Sequence, residues 1–276
     1  GFVAAVAAAK EAGLAVLVLG EEQLMSGEGG SRTSLQLPGH QLDLAKAVHA
    51  AGVPFVAVVL SGRPLAIPWR AEHAGAILAA WHPGTQGGHA GADVLFGDVN
   101  PSGKTPVSWP VNEGQIPVYY ARKATGRPPR VEERTTSKYL DAPNDPLFPF
   151  GFGLSYTTFE YSGLQIVPNK IERPANIMVS VDVKNTGDRP GEEVVQLYLR
   201  DVAASFTRPV SELVGFKKIA LAPGERQSVM FTITPEQLGL MDDARRLHVE
   251  PGLFKVWAGP SSNSGLEGTL ELRAPA

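Results

Sequence analysis

Residues 14–40 read LAVLVLGEEQLMSGEGGSRTSLQLPGH, and this stretch decides both the fold and the candidate site. Residues 14–19 form an apolar run with the length and composition of a buried strand. Residues 20–40, which we call the 20–40 loop, are rich in glycine, serine and charged residues, and a helical pattern begins at Gln41. A long polar loop after a buried strand is where open α/β sheets carry their sites.

The rest of the first part of the chain alternates between helical patterns and apolar runs. Helical patterns cover residues 2–12 and 41–51, and apolar runs cover residues 54–60 and 74–81. Glycine follows each helical pattern and is expected to end the helix. This alternation predicts right-handed crossovers and a parallel sheet with flanking helices. The loops after the three strands should therefore lie at one edge of the sheet; they are residues 20–40, 61–64 and 82–88.

The composition changes after residue 97, where glycine, proline, asparagine and arginine become frequent. This segment is too long for a simple connection and predicts an extended linker or an excursion toward the active site. From about Phe159, short alternating apolar segments separated by Pro-Gly turns predict an antiparallel β-sandwich. We therefore divide the chain into an α/β sandwich domain with a parallel sheet, an extended segment and an all-β immunoglobulin-like sandwich, at residues 1–121, 122–158 and 159–276.

Composition excludes several classes of protein and site. The formal net charge of -3 leaves no basic footprint for nucleic acid. The absence of cysteine excludes disulfides, thiolate nucleophiles and Cys-ligated zinc. The sequence contains no apolar run long enough to span a bilayer, no histidine pair with zinc-ligand spacing and no glycine-rich phosphate loop. We expect no nucleic-acid or membrane partner, no metal and no cofactor.

The charged residues of the 20–40 loop favour carboxylate chemistry. The loop contains Glu21, Glu22, Glu28 and Arg32. Glycoside hydrolysis needs two carboxyl groups, and the loop does not obviously supply both. Glu21 follows directly on the predicted strand, whereas Glu28 lies in a glycine-flanked segment that could reach into a neighbouring domain. The alternative interpretation is an ordinary acidic surface loop.

Several segments, taken in order, resemble the glycoside hydrolase family 3 β-glucosidases. The most specific are GDVNPSGK at residues 97–104 and FPFGFGLSYT at residues 148–157. The later segments NTGDRPGEEVVQLYL, at residues 185–199, and RPVSELVGFKKIALAPGE, at residues 208–225, resemble the fibronectin type III-like domain of that family. The resemblance covers almost the whole chain.

The resemblance implies an enzyme of three domains, namely a (β/α)8-like barrel, a six-stranded α/β sandwich and a fibronectin type III-like domain. The family's active site lies between the barrel and the α/β sandwich. Its nucleophile is an Asp in a Ser-Asp-Trp type motif on the barrel, and no such motif occurs in this sequence. The chain also opens at Gly1 inside an alanine-rich helical pattern. We therefore expect a piece of a longer protein that supplies the acid/base half of the site and lacks the N-terminal barrel domain.

The resemblance also implies which residues act. The family's general acid/base is a Glu on the loop that matches the 20–40 loop, and its position differs between subgroups. Members similar to this chain have a second Glu just before Ser-Arg, which corresponds to Glu28. We predict Glu28 as the acid/base, with Glu21 as the alternate, because the residue must reach across a cleft. Arg32 is predicted to support Glu28 or to bind a sugar hydroxyl; the alternative is an ion pair with Glu21 or Glu22.

The implied activity is removal of terminal non-reducing β-D-glucose with retention, from a β-glucoside or an oligosaccharide. A β-xylosidase or another exo-glycosidase of the same family is an alternative, because barrel residues mainly set the substrate class. A non-catalytic carbohydrate-binding or structural module is the alternative from a different class. The resemblance favours a periplasmic or secreted location and leaves open whether the protein forms a homodimer. The fragment alone is expected to be inactive.

Overall fold

The computed structural model describes residues 1–274, which divide into two compact units. The first unit consists of residues 1–99 and 109–117, and the second of residues 100–108 with the chain from residue 118 onward. The division at residues 121 and 158 that composition suggests stays a prediction.

A three-stranded parallel sheet frames the first unit, in the order β1, β2, β3. The strands are β1 (Ala15–Gly20), β2 (Phe55–Leu60) and β3 (Ala76–Ala79), and the helices are α1 (Phe2–Ala12), α2 (Gln41–Ala50), α3 (Pro68–His73) and α4 (Gly87–Phe96). All strand pairs are parallel, from Ala15↔Phe55 to Gly20↔Leu60 in the first pair. The predicted α/β arrangement is thus confirmed. The helix α3 was not predicted, because six residues are too few to show an amphipathic period.

The middle strand is the best buried strand of this sheet. Phe55, Ala57 and Val59 of β2 are 1%, 0% and 1% exposed. In β1, by contrast, Val16 and Val18 are 48% and 62% exposed. Parallel sheets normally have both faces covered. One face of β1 is therefore an open apolar surface in this chain.

The second unit is a β-sandwich of a five-stranded and a three-stranded sheet, ordered β5-β13-β12-β7-β8 and β4-β6-β9. A short hairpin, β10 with β11, and one helical turn, α5, complete it. The bounds are β4 (Phe159–Val167), β5 (Lys170–Ile171), β6 (Ile177–Asn185), β7 (Gly191–Asp201), β8 (Glu212–Leu221), β9 (Arg226–Ile233), α5 (Pro235–Leu238), β10 (Leu240–Met241), β11 (Leu247–His248), β12 (Gly252–Ser261) and β13 (Ser264–Leu272).

The core of the sandwich follows from strand alternation. On β6, alternate residues from Ile177 to Val183 are 0% exposed, and Phe254 and Val256 of β12 belong to the same core cluster. Side chains of a strand point alternately to its two faces, so each strand contributes every second residue to the core. The predicted all-β immunoglobulin-like sandwich is confirmed.

Two segments that are distant in the sequence are joined in the second unit by Asn100. Its Oδ1 accepts hydrogen bonds from the Ser155 hydroxyl at 2.9 Å and the Tyr156 backbone N–H at 2.8 Å. Its Nδ2 donates to the Pro190 carbonyl at 3.0 Å. The asparagine of the GDVNPSGK segment thereby fixes the FPFGFGLSYT segment beside the sandwich.

A buried ion pair continues this connection. Lys104 Nζ lies 3.1 Å from Glu193 Oε1 on β7 and donates to the Gly153 carbonyl at 3.2 Å. The Tyr161 hydroxyl also donates to Glu193, at 2.9 Å. Burial raises the pKa of Glu193 above its ordinary value, although Lys104 and Tyr161 oppose that rise. We call Asn100, Lys104 and Glu193, together with the residues to which they are hydrogen-bonded, the clasp.

We expect Lys104→Met to destabilise the second unit by about 3–5 kcal/mol, because it leaves the Glu193 carboxylate buried without its cation. Urea denaturation followed by circular dichroism measures the loss. The matched control is Lys218→Met, which removes the cation beside the half-exposed neighbour Glu192. That variant should lose no more than about 1 kcal/mol, as exposed pairs do. Equal losses in the two variants would contradict a structural role for the clasp.

Candidate active site

Loops that follow the three parallel strands meet at the carboxyl edge of the first sheet. The Gly62 N–H lies 3.3 Å from Glu21 Oε2, which joins the loop after β2 to the 20–40 loop. A Cβ added at Gly62 would lie 2.7 Å from the Ser26 hydroxyl and 2.8 Å from His82 Nε2, so the loop after β3 is adjacent as well. The prediction that the three loops share one edge is confirmed.

Gly20, the last residue of β1, has a backbone conformation that fixes where the 20–40 loop begins. Gly20 has φ 153°, and a Cβ there would lie 1.9 Å from the Leu60 carbonyl oxygen, so only glycine fits. The Gln41 side-chain amide closes the other side: its oxygen accepts from Gly20 N–H at 2.7 Å, and its nitrogen donates to the Gly20 carbonyl at 2.8 Å. The next residue, Glu21, is therefore held in place by the end of the strand.

Glu21 lies at the centre of a hydrogen-bonded cluster, and its side chain is 0% exposed. Arg32 Nη1 donates to Oε1 at 2.6 Å, and Arg63 Nε lies 3.2 Å from the same oxygen. The Ser26 hydroxyl donates to Oε2 at 2.9 Å. We call Glu21, Arg32, Arg63 and Ser26 the Glu21 cluster.

The cluster keeps Glu21 ionised. Burial alone would raise the pKa of its carboxyl, but the hydrogen bonds from Arg32 and Ser26 and the charge of Arg63 outweigh burial. The net effect places the pKa below the ordinary value of 4.5. Glu21 is thus a stable anion at neutral pH, with both oxygens already occupied by donors.

The two arginines also fix the course of the 20–40 loop. Arg63 Nη2 donates to the carbonyls of Met25 and, at 2.8 Å, of Gly30. Arg32 Nη2 donates to the Gln36 carbonyl at 2.9 Å. Sequence reasoning missed Arg63. The signal that could have found it is its place in the loop at the carboxyl end of the neighbouring strand.

Glu28 stands apart from this cluster, at the tip of the loop. It lies in a turn that the Gly30 N–H closes on the Gly27 carbonyl at 3.0 Å, with Gly29 at φ 76°. Glycine favours this left-handed conformation, so the turn projects Glu28 outward. The Glu28 side chain is exposed, and it forms no hydrogen bond or ion pair with any residue in the range 1–274.

The structure therefore separates the predicted site residues into two groups. It brings Arg32 together with Glu21, which is the ion pair that we considered as the alternative for Arg32. It does not bring Arg32 into contact with Glu28. The role of Glu28 as acid/base and the role of Arg32 in substrate binding stay predictions.

The second half of the loop is held by Glu113. Its Oε1 accepts from the Ser34 hydroxyl at 2.9 Å and the Leu35 N–H at 2.8 Å. Its own backbone N–H is the main cause that lowers the pKa of Glu113; burial opposes it, and Ser34 and Leu35 add to it. Glu113, which is far from the loop in sequence, thus holds the part of the loop that leads to α2.

Trp81, just after β3, has an unusual backbone at this edge of the sheet. Its φ is 52°, a conformation that bulky residues adopt only where the surroundings impose it. Its half-buried ring meets the buried Trp109 edge-on, with centroids 5.8 Å apart. The loop after β3 therefore begins on a fixed aromatic residue.

Within residues 1–274, no three His, Asp or Glu side chains are grouped so that they could hold a metal ion. Of the helices in that range, none has the length and apolar character that crossing a membrane requires.

Comparison with known proteins gives the family. Residues 1–156 match the glycosyl hydrolase family 3 C-terminal domain, and residues 193–262 match a fibronectin type III-like domain. A periplasmic beta-glucosidase of Salmonella typhimurium is 48% identical over 270 residues, covering 97% of this chain and 35% of that protein. A beta-xylosidase of Formosa agariphila is 42% identical, covering 96% of this chain and 36% of that protein.

A solved structure agrees with these relatives. The crystal structure of a beta-glucosidase from Listeria innocua in complex with glucose matches with a TM-score of 0.95 and 41% identity, covering 100% of this chain and 38% of that one. The chain thus spans between 35% and 38% of the length of these two beta-glucosidases. Because the first match covers 156 of the 276 residues, and because the relatives agree with it, the chain belongs to glycosyl hydrolase family 3, of which it contains the C-terminal domain and the fibronectin type III-like domain.

Proposed function

We propose that this chain supplies the general acid/base, Glu28, of a retaining β-glucosidase whose nucleophile lies outside residues 1–276. The observation that carries this proposal is the contrast between the two carboxylates of the 20–40 loop. Glu21 is buried and bonded through both oxygens, whereas Glu28 is exposed at the tip of a turn. A side chain that must meet a substrate has to be free to reach it.

The protonation state favours the same choice. A general acid must carry a proton when the reaction starts, so its pKa must lie near the working pH. The Glu21 cluster lowers the pKa of Glu21, which makes that carboxyl a poor acid at neutral pH. Among residues 1–274, no cation forms an ion pair with Glu28.

The proposed reaction has two steps. A carboxylate from the missing barrel domain attacks the anomeric carbon while Glu28 gives its proton to the leaving glycosidic oxygen, so that the C–O bond breaks and a glycosyl-enzyme forms. Glu28, now ionised, then takes a proton from water, whose oxygen attacks the anomeric carbon and releases the nucleophile. Two inversions give net retention.

In this proposal, Arg32 holds the loop in place and also binds a hydroxyl of the substrate. Its two terminal nitrogens bind Glu21 and the Gln36 carbonyl, and this fixes the loop segment that follows Glu28. A guanidinium has five N–H donors, so hydrogens remain for a sugar hydroxyl. The Arg32 side chain keeps 17% of its surface exposed, which leaves room for such a contact.

The substrate class rests on the relatives. Two of them are named beta-glucosidases, and the Listeria innocua protein was solved with glucose. We therefore propose terminal β-D-glucose as the sugar removed. A β-xylosidase is the second candidate, favoured by the 42% identical Formosa agariphila protein. The name of the Salmonella typhimurium relative supports a periplasmic or secreted location for the whole protein.

In the full-length enzyme, we expect Glu28→Ala to lower kcat/KM for alkyl β-glucosides by about 10²–10⁴-fold, because their poor leaving groups need a proton. For dinitrophenyl β-glucoside, which needs little protonation, kcat/KM should change far less. Its kcat should fall, since the second step loses its base, and azide should restore part of kcat by replacing water. Steady-state kinetics on the two substrates, with and without azide, measure these effects.

The control for that experiment is Glu21→Ala. This variant should lower activity on both substrates alike, because it disturbs the loop rather than the proton transfer, and azide should not restore it. If Glu21→Ala showed the leaving-group dependence and azide rescue instead, Glu21 would be the acid/base. If neither variant showed them, the acid/base would lie elsewhere.

The Glu21 cluster predicts a pH-dependent stability. Since the folded pKa lies below the ordinary 4.5, the stabilisation is complete above pH 4.5 and is lost as pH falls through the folded pKa. We expect Glu21→Gln to lower the free energy of unfolding at pH 7 by about 1–3 kcal/mol. In acid, the difference in this free energy between the variant and the parent chain should disappear. Urea titrations followed by tryptophan fluorescence measure it, because Trp69, Trp81 and Trp109 lie in the first unit.

The matched control is Glu22→Gln, which changes the exposed carboxylate next in sequence. It should shift stability by less than about 0.5 kcal/mol, as surface substitutions do. A Glu21→Gln effect that is equally small at pH 7, or one that persists unchanged in acid, would contradict the role of Glu21 as a buried anion.

A further inference from the structure

A row of aromatic rings crosses the outer face of the five-stranded sheet in the second unit. Phe150 stacks on Tyr120 with centroids 4.2 Å apart, and Tyr120 meets Tyr198 of β7 edge-on at 6.0 Å. Tyr198 then stacks on Trp257 of β12 at 5.5 Å, with the rings 13° from parallel. Tyr198 is 0% exposed, whereas Trp257 at the end of the row is partly exposed. The row therefore ends in a fixed, accessible indole.

Trp257 lies in the middle of the sheet, between β7 and β13. Trp257 is paired with Tyr198 of β7 on one side and with Glu267 of β13 on the other. The Tyr198 ring stacks on one face of the Trp257 ring. A cleft of about 250 Å³ is lined by Trp257, by Glu267 of β13, by Arg200 of β7 and by residues 262–265 of the turn between β12 and β13.

Polar side chains surround this indole. Lys255 and Glu267 line the cleft and form an ion pair with N···O 2.8 Å. Arg200 also lines it, as the register partner of Lys255 on β7, and no ion pair of Arg200 is found within residues 1–274. Asn263 adds an amide from the turn. The cleft thus combines one apolar ring face with donors and acceptors at its rim.

We propose that the Trp257 cleft is a saccharide-binding site of the fibronectin type III-like domain, which takes a ring of a neutral β-linked glucan chain. The C–H face of a pyranose ring is apolar and packs against an aromatic face, while its hydroxyls need both donors and acceptors at the rim. The cleft offers this combination. The Lys255–Glu267 pair provides donors and acceptors without a net charge, and Arg200 provides further donors.

The size and form of the cleft indicate how much of a sugar it can take. Its volume lies below the roughly 300–1,000 Å³ of enclosed ligand pockets. One or two rings of a long chain fit such a surface, whereas a whole small ligand could not be enclosed. The packing of Trp257 on Tyr198 means that the ring is already fixed before binding, so little side-chain entropy is lost. The site would hold a polymer weakly while leaving the rest of the polymer free.

The test uses the 276-residue chain and two probes, cellohexaose and soluble mixed-linkage β-glucan. The four tryptophans give four indole N–H signals in NMR spectra, and Trp257→Phe identifies the one from Trp257. Adding cellohexaose should shift the Trp257 signal in a saturable manner. In gels that contain the β-glucan, the parent chain should migrate more slowly than in gels without it.

Variants separate binding at Trp257 from binding elsewhere. Trp257→Ala should weaken binding of cellohexaose by about tenfold or more, whereas Trp257→Phe, which keeps an aromatic face, should retain most of it. The matched control is Phe216→Ala, which removes an exposed aromatic residue on β8 that does not line the cleft. That variant should bind as the parent does. Circular dichroism confirms that each variant is folded.

Three results would overturn the proposal. The first is a parent chain whose Trp257 signal does not move while signals from the other tryptophans do, which would place sugar binding in the first unit only. The second is Trp257→Ala binding as tightly as the parent. The third comes from a comparison gel that contains a uronate-bearing glycan: retention in that gel alone, lost at high salt, would assign the cleft to anionic ligands through Arg200. None of these results bears on Glu28, so the proposed acid/base role is tested separately.

Discussion

The ion pairs of Glu21 with Arg32 and Arg63 are the interaction on which the candidate site depends. A loop rich in glycine has little reason to adopt one conformation, because its backbone entropy is high. Glu21, a buried carboxylate at the end of β1, forms ion pairs with both arginines. Other nitrogens of these arginines donate to the carbonyls of Met25, Gly30 and Gln36. The turn that carries Glu28 lies between two of these held carbonyls, those of Met25 and Gly30. A buried carboxylate thus fixes the backbone on both sides of the exposed turn.

The two segments that resemble the family most specifically serve the second unit rather than the loop. Asn100 and Lys104 of one segment bind Gly153, Ser155 and Tyr156 of the other. These residues are fixed by hydrogen bonds and by the buried ion pair of Lys104 with Glu193, and breaking a buried pair is costly. A motif can therefore identify a family through its architecture, and the chemistry has to be argued from other residues.

The sequence predicted the fold well where periodicity was long and regular. The apolar run of β2 and the alternation of β6 need no distant partner to be recognised. The site was predicted in part: the loop, its carboxylates and the Glu21–Arg32 alternative were found, but Arg63 and Glu113 were not. Both act through contacts with residues far away in sequence. No local pattern records such a contact, because it forms only when the folded chain brings distant segments together.

The open face and free edge of β1 affect how the molecule behaves in concentrated solution. Within residues 1–274, β1 pairs with one strand only, and Val16 and Val18 are exposed beside its free edge. The Gln41 amide closes this edge at Gly20 alone. An apolar strand with unpaired N–H and C=O groups is a template for strand addition from another molecule, and natural sheets protect such edges. The chain on its own should thus self-associate as its concentration rises, and a charged residue at Val16 or Val18 would act as a gatekeeper against that aggregation.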